Sequence, residues 1–264
     1  MLEKQAINLN LRCIVISILN GCLDLTEELT SQTEEFLETI YRLQERNGVA
    51  RTSELVKMLR IVPGTVTNTV ERLEKRGLIK HEVYKGVKLT KEGEIIALRI
   101  LRKHRLSERL LSDVLKMEWN QIHGAACQLE HGITEDVAKS IEKRLNQPMT
   151  CPHGNPIPAL DGEIFEENTV PLSTLNPGNE GTVKRITDES QEILEHMVNI
   201  GLKPGVYVRI AAKNTRKGTL TIQVNGASQK TTLKVASVVH VKINQKNDFP
   251  ARQEVKEWSP KTAN

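Results

Sequence analysis

Between His123 and His131 the chain reads His-Gly-Ala-Ala-Cys-Gln-Leu-Glu-His, and four of these side chains can donate to a transition metal. On a helix, Cys127, Glu130 and His131 stand at i, i+3 and i+4, with His123 one turn before Cys127 on the same stripe. One helix face would then offer sulfur, oxygen and nitrogen together. A second pair at helical spacing, His104 and Glu108, lies upstream, so two antiparallel helices could build either one site or two neighbouring ones. A mixed set with carboxylates and a single thiol suits a reversible Fe(II), Mn(II) or Co(II) sensor better than a structural zinc site, although affinity alone also admits Ni(II) and Zn(II). Cys127 and His131 are also a thiol–imidazole pair at i, i+4, the spacing of an activated nucleophile. No Gly-rich oxyanion-forming segment or cysteine-protease signature accompanies them, and the chain is read as a metal-binding protein without catalytic residues. Cys151 and His153 form a further pair with no evident partners and are read as structural.

The elements that must position these ligands begin near residue 31. Ser31-Gln-Thr-Glu34 has capping-box spacing and opens a helix with Phe36, Leu37, Ile40, Tyr41 and Leu43 inward, closed by Gly48. Thr52 or Ser53 caps a short second helix, and Arg60-Ile-Val-Pro63-Gly64 makes a turn. Pro63 fits the first position of a third helix, which buries Val66, Val70 and Leu73. Leu78–Val83, a turn at Tyr84-Lys85-Gly86, and Val87–Leu89 read as a β-hairpin. Helix, helix, turn, helix and hairpin in this order make a winged helix-turn-helix. The third helix would present Thr65, Thr67, Asn68 and Thr69 to base edges, with Arg72, Lys75 and the hairpin's Lys85 on phosphates of double-stranded DNA.

A long helix from Thr90 to about Lys116, one capped by Asn120 that carries the ligand stripe, and one capped by Thr134 follow. Their apolar faces exceed what a wing can cover, which implies a helical homodimer and a palindromic operator. Pro, Gly and Asn then dominate from Gln147 to Gly178, an ordered turn and a linker. Strands at Gly181–Ile186, Val206–Ile210, Thr219–Val224 and Leu233–Ile243, with a helix near Glu189–Asn199, suggest a small β-barrel. The class is therefore mainly α with small β. The blocks are an extension at 1–29, the winged domain at 30–95, metal binding and dimerisation at 96–150, a linker at 151–178, the barrel at 179–244, and a disordered tail at 245–264.

The 264 residues suffice for more than one core, and the net charge of +4 is compatible with nucleic acid without demanding it. Four scattered cysteines point to a reducing, cytoplasmic setting. The apolar run Leu11–Leu23 is too short to span a bilayer, which takes about 20 residues. Few cationic residues precede it and no Ala-x-Ala site follows, so it reads as an extra helix or an early start codon rather than a leader. No membrane association is expected.

Three stretches resemble the metal-dependent repressors of the diphtheria toxin repressor family: Arg102–Leu111, His123–His131 and Gly154-Asn-Pro-Ile-Pro158. The likeness spans residues 30–160 and extends into a FeoA-like C-terminal barrel. It implies two metal ions per subunit, with His104, Glu108 and His123 in an ancillary site and Cys127, Glu130 and His131 in a regulatory site. The family completes the regulatory site from the first helix of the winged domain, at the position of Glu35, where its iron repressors carry Met. Its manganese branch uses carboxylates there and replaces the Cys by Glu, so this chain mixes both patterns. The thiolate favours Fe(II), with Mn(II) the alternative. The resemblance also brings Glu189 and Glu192 to the ancillary metal and Arg105 and Asn155 to an anion beside it, with Cys151 where the family has Ser. A metal-dependent enzyme and a constitutive DNA-binding protein with a structural metal are the readings from other classes.

Overall fold

The computed structural model describes residues 30–82 and 85–243; the N-terminal extension, the hairpin tip Val83-Tyr84 and the C-terminal tail lie outside them. Two compact units are present. Of the described residues, one unit comprises those up to His104 together with Leu129–Glu135 and Pro158–Ile164; the other comprises Arg105–Gln128, Asp136–Ile157 and those from Phe165 to Ile243. Among the described residues no helix is long and apolar enough to cross a membrane.

The first unit opens with α1 (Ser31–Asn47). Its cap is Thr30 rather than Ser31: the Thr30 hydroxyl accepts from the Thr33 amide at 3.3 Å, and Gly48 closes the helix at φ 74°. Helix α2 (Thr52–Leu59) has Arg51 as its cap, one residue before the Thr52 expected from sequence, and the Arg51 amide donates to the Glu54 carboxylate at 3.2 Å. Pro63 occupies the first turn of α3 (Pro63–Lys75). Strands β1 (Ile79–Glu82) and β2 (Gly86–Leu89) pair antiparallel, from Ile79 opposite Leu89 to Glu82 opposite Gly86. Ala50 bridges to Val87 and ties the link after α1 to this wing. The core consists of Phe36, Leu37, Ile40, Leu55, Val66, Leu73, Ile79, Val87 and Leu101.

Helix α4 (Lys91–Arg109) supplies residues to both units and passes into a π-helical turn at Leu110–Val114, short of the regular helix to Lys116 that the periodicity suggested. Helix α5 (Ile122–Leu129) begins later than an Asn120 cap would give and stops before the stripe is complete, because Glu130–Gly132 forms a single 3₁₀ turn. Helix α6 runs from Glu135 to Arg144.

The rest of the second unit is an open six-stranded sheet, not a closed barrel. It contains β3 (Val170–Pro171), β4 (Glu180–Ile186), β5 (Tyr207–Asn214), β6 (Thr219–Val224), β7 (Ala227–Thr232) and β8 (Val239–Ile243), in the order β3-β8-β4-β5-β6-β7. Helix α7 (Gln191–Ile200) and the short α8 (Leu233–Ala236) complete it. Two strand expectations are corrected. Thr232 caps α8 by accepting from the Val235 amide at 3.1 Å, which turns the chain and divides the single Leu233–Ile243 strand read from sequence. Strand β7 was missed altogether, although Asn225-Gly226 carries its signal: both have positive φ, 50° and 80°, the geometry of a tight hairpin turn. Leu172, Ile186, Leu194, Met197, Val208, Ile222 and Val241 form this unit's core.

Gly93, in the first turn of α4, lies so close to the wing that an added Cβ would sit 2.0 Å from the Leu78 carbonyl oxygen. Helix propensity alone predicts that Gly93→Ala stabilises by about 1 kcal/mol. The clash reverses the sign: thermal unfolding of the variant is expected to show a net loss of stability.

Candidate metal centres and nucleic-acid interface

In the first unit, Glu34 and Glu38 lie one turn apart on α1, on one stripe of the helix. Glu38 is buried and held by Arg42, whose Nε lies 3.0 Å from its Oε1. The His104 ring is fully buried, with Nδ1 2.5 Å from Glu130 Oε2. Ligand atoms of Glu38, His104 and Glu130 all lie within 4.8 Å of one another. Glu130 Oε1 is 3.6 Å from His131 Nε2, and His131 Nδ1 is 3.1 Å from Glu34 Oε2. The carboxylate beside His131 is thus Glu34 and not Glu35. One residue turns a helix by about 100°, and Glu35 stands exposed.

The second unit holds another buried set. Thr150 bridges to Pro156, and within this tight turn the Cys151 amide donates to the Asn155 carbonyl at 2.8 Å. Gly154 at its apex has φ 86°, and a Cβ there would meet the Lys184 carbonyl oxygen at 1.9 Å, so only glycine fits. The turn places His153 Nδ1 3.1 Å from Glu108 Oε1 and 3.5 Å from Glu189 Oε1, while Cys151 Sγ lies 3.8 Å from Glu189 Oε1. Glu108, Cys151, His153 and Glu189 are all buried, with ligand atoms within 4.8 Å of one another. His123 approaches from α5, its Nδ1 3.4 Å from both Glu108 and Glu189, and Cys127 Sγ is 3.8 Å from His123 Nε2.

Electrostatics explain why this second donor set suits a cation. Burial opposes charge on His153, yet its hydrogen bonds with Cys151, Glu108 and Glu189 outweigh that cost and hold its pKa far above the usual histidine range. Burial, reinforced by the charge of Glu108, pushes the Cys151 thiol up to about 11. Cys151, Glu108 and Glu189 together thus hold a proton on the His153 ring. A divalent ion can take the place of two protons, that one and the one on the Cys151 thiol, accepting two carboxylates, an imidazole and a thiolate, a set that first-row metals bind.

Several residues expected at the sites are placed differently. Arg105 donates to the Pro156 carbonyl. Asn155 donates to the Ile186 carbonyl at 2.8 Å and to Glu189 Oε1 at 2.7 Å, so it orients a carboxylate. Glu192 is exposed and lines a groove with Ile193, His196 and Thr231. Sequence reasoning left out Glu34 and Glu38 and read Cys151 and His153 as structural, whereas all four lie among the donors grouped here. The i, i+4 carboxylates on α1 and the Cys-x-His spacing were the available signals.

On α3, Val66, Val70 and Leu73 face the core, while Thr65, Thr67, Asn68, Arg72 and Lys75 are exposed and Thr69 is half-buried. The Thr67 hydroxyl donates to the Pro63 carbonyl at 3.2 Å, and the Arg72 guanidinium to Thr33 Oγ1 at 3.1 Å. Lys85 forms a surface ion pair with Glu82 at 2.6 Å across the wing turn.

A winged helix-turn-helix together with buried nitrogen and oxygen donors defines the class: a metal-dependent, DNA-binding transcriptional repressor, not an enzyme. Residues 28–87 match the iron dependent repressor N-terminal DNA binding domain, 90–159 the iron dependent repressor metal binding and dimerisation domain, and 170–243 the FeoA domain. The chain is 34% identical over 211 residues to the iron-dependent repressor IdeR of Mycobacterium tuberculosis, covering 75% of this chain and 91% of that protein. It is 31% identical over 213 residues to the diphtheria toxin repressor of Corynebacterium glutamicum, covering 76% and 92%. Among solved structures, it superimposes on T. acidophilum IdeR with a TM-score of 0.72 at 28% identity, over 83% of this chain and all of that one. A manganese-dependent transcriptional repressor in complex with manganese gives 0.73 at 27% identity, over 80% and 100%. The chain belongs to the iron-dependent repressor family, the diphtheria toxin repressor and its relatives.

The Gly154 apex generates a prediction. Gly154→Ala is expected to lower the unfolding temperature and, in calorimetric titration with Co(II), to weaken whichever binding event depends on Cys151.

Proposed function

We propose that the protein is an Fe(II)-responsive repressor that binds a palindromic operator in the cytoplasm as a homodimer, with two metal ions per subunit. The observation that carries this reading is the buried set Glu38, His104 and Glu130, because Glu38 belongs to the helix that opens the winged unit. A bound divalent ion supplies the positive charge that holds these donors together. Glu38 and Glu34 would then fix α1 against His104, Glu130 and His131, and α1 reaches the recognition helix through the Thr33–Arg72 hydrogen bond. Moving a two-state equilibrium from about 1:99 to 99:1 requires about 5.5 kcal/mol of differential binding, within reach of a multidentate site. Glu108, Cys151, His153 and Glu189, with His123 beside them, make the second site.

The thiols Cys127 and Cys151 support Fe(II), since sulfur favours softer ions. Mn(II) is the alternative, and one observation favours it: Glu38, His104 and Glu130 offer only nitrogen and oxygen. Anaerobic gel-shift titration on an operator fragment at buffered free Fe(II) and Mn(II) separates them. Half-saturation at lower free Fe(II) is expected; equal DNA binding in the presence of a chelator would sink the sensor reading.

Two substitutions test the machinery. Glu38→Gln is expected to raise the metal concentration needed for DNA binding at least tenfold, whereas Glu35→Gln leaves it within twofold, as read by the same gel shift. Lys75→Ala is expected to weaken DNA binding about equally on all sequences and to reduce the slope of log K against log salt by about 1.

A further inference from the structure

We infer that Trp119 is the positioning residue of the second metal site: it fixes which nitrogen of His153 is offered to the ion and holds the turn that carries Cys151. The inference rests on the reading of Glu108, Cys151, His153 and Glu189 as a metal site.

Three contacts converge on this residue. Its main-chain carbonyl lies 3.1 Å from His153 Nε2. A carbonyl oxygen can only accept, so Nε2 carries the hydrogen. In a neutral ring that leaves Nδ1 as the lone-pair atom, and Nδ1 is the nitrogen that faces Glu108 and Glu189. The indole Nε1 donates at 3.0 Å to the carbonyl of Pro152, the residue between Cys151 and His153. The indole also meets the imidazole edge to face, with centroids 4.7 Å apart and planes at 65°. Main chain and side chain thus hold one ligand from both sides.

The surroundings make this hold rigid. Trp119 packs against the small cluster of Leu111, Ile122 and Ala126 and against the sheet core, and Lys203 Nζ lies 5.3 Å from its ring centroid. Residues 115–118 just before it are mostly exposed, and Trp119 itself is half-buried. Metal-bound imidazoles keep their tautomer and ring plane through the hydrogen bond made by the other nitrogen, and removing such a partner weakens metal binding by about 10- to 100-fold. The side chain is the part that substitution can reach: without the indole N–H and ring, the turn and the imidazole plane lose their anchor.

The test uses the full-length protein with Co(II), whose thiolate charge-transfer band reports coordination by Cys151. Cys13→Ser, Cys22→Ser and Cys127→Ser together serve as background, so that Cys151 is the one thiol left of the four in the chain. Trp119→Ala is expected to weaken the Co(II) event that carries this band at least tenfold, and Trp119→Phe, which keeps a ring but loses the N–H, by a smaller factor. The band should shift in both, while the event without the band, assigned to Glu38, His104 and Glu130, stays within twofold. Nitrogen-15 spectra of the Zn(II)-loaded protein should show His153 bound through Nδ1 with Nε2 protonated. An unchanged band and affinity in folded Trp119→Phe and Trp119→Ala, or binding through Nε2, overturns the role of Trp119 alone. Absence of any thiolate band in the background that keeps Cys151 alone overturns the metal site itself, and this inference with it.

Discussion

Burial of acid is the constraint around which this molecule is arranged. Glu38, Glu108, Glu130 and Glu189 are all removed from water, and an unpaired buried carboxylate costs several kcal/mol. Each is therefore met by a cationic or proton-bearing neighbour: Arg42 at Glu38, His104 at Glu130, and His153 at both Glu108 and Glu189. Helix lengths, the tight turn at Gly154 and the packing around Trp119 serve to bring these partners into range. A protein that buries so much negative charge beside histidine and cysteine is poised to exchange protons for a metal.

The two donor sets differ in kind. Around Glu130 the donors are nitrogen and oxygen, and one comes from the helix that leads the DNA-binding unit. Around Glu108 a thiol joins them, and the donors come from a turn, a helix and the segment before α7. The first set is linked by a short chain of contacts to the recognition helix through Thr33 and Arg72. The second lies within the sheet-containing unit, beside Trp119, which packs against that unit's core.

The helical elements were legible in the sequence because their signals are local: Pro63 at a helix start, Gly48 at a helix end, and apolar spacing along α1 and α3. Boundaries slipped where tertiary partners decided them, as at Thr30 and at the 3₁₀ turn that ends the ligand stripe. The ligand types were also legible, since His104, Glu108, His123, Glu130 and Glu189 all lie in or beside the two donor sets. Their grouping was not. Which of two adjacent carboxylates faces inward depends on the rotation of α1, and whether Cys151 and His153 have partners depends on residues 38 to 45 positions away along the chain. Strand β7 was available from Asn225-Gly226, but its polar sequence gave no hydrophobic alternation to confirm it.

That polarity has its own consequence. In the open sheet, β7 is an edge strand, and the described residues place no further strand beside it. Unprotected edges invite the addition of foreign strands and lead to aggregation. Here the edge presents Ser228, Gln229 and an exposed Lys230, with Thr231 the one buried position. A charged, hydrophilic rim of this kind discourages runaway oligomerisation, so the unit can leave its sheet unclosed and remain soluble at that border.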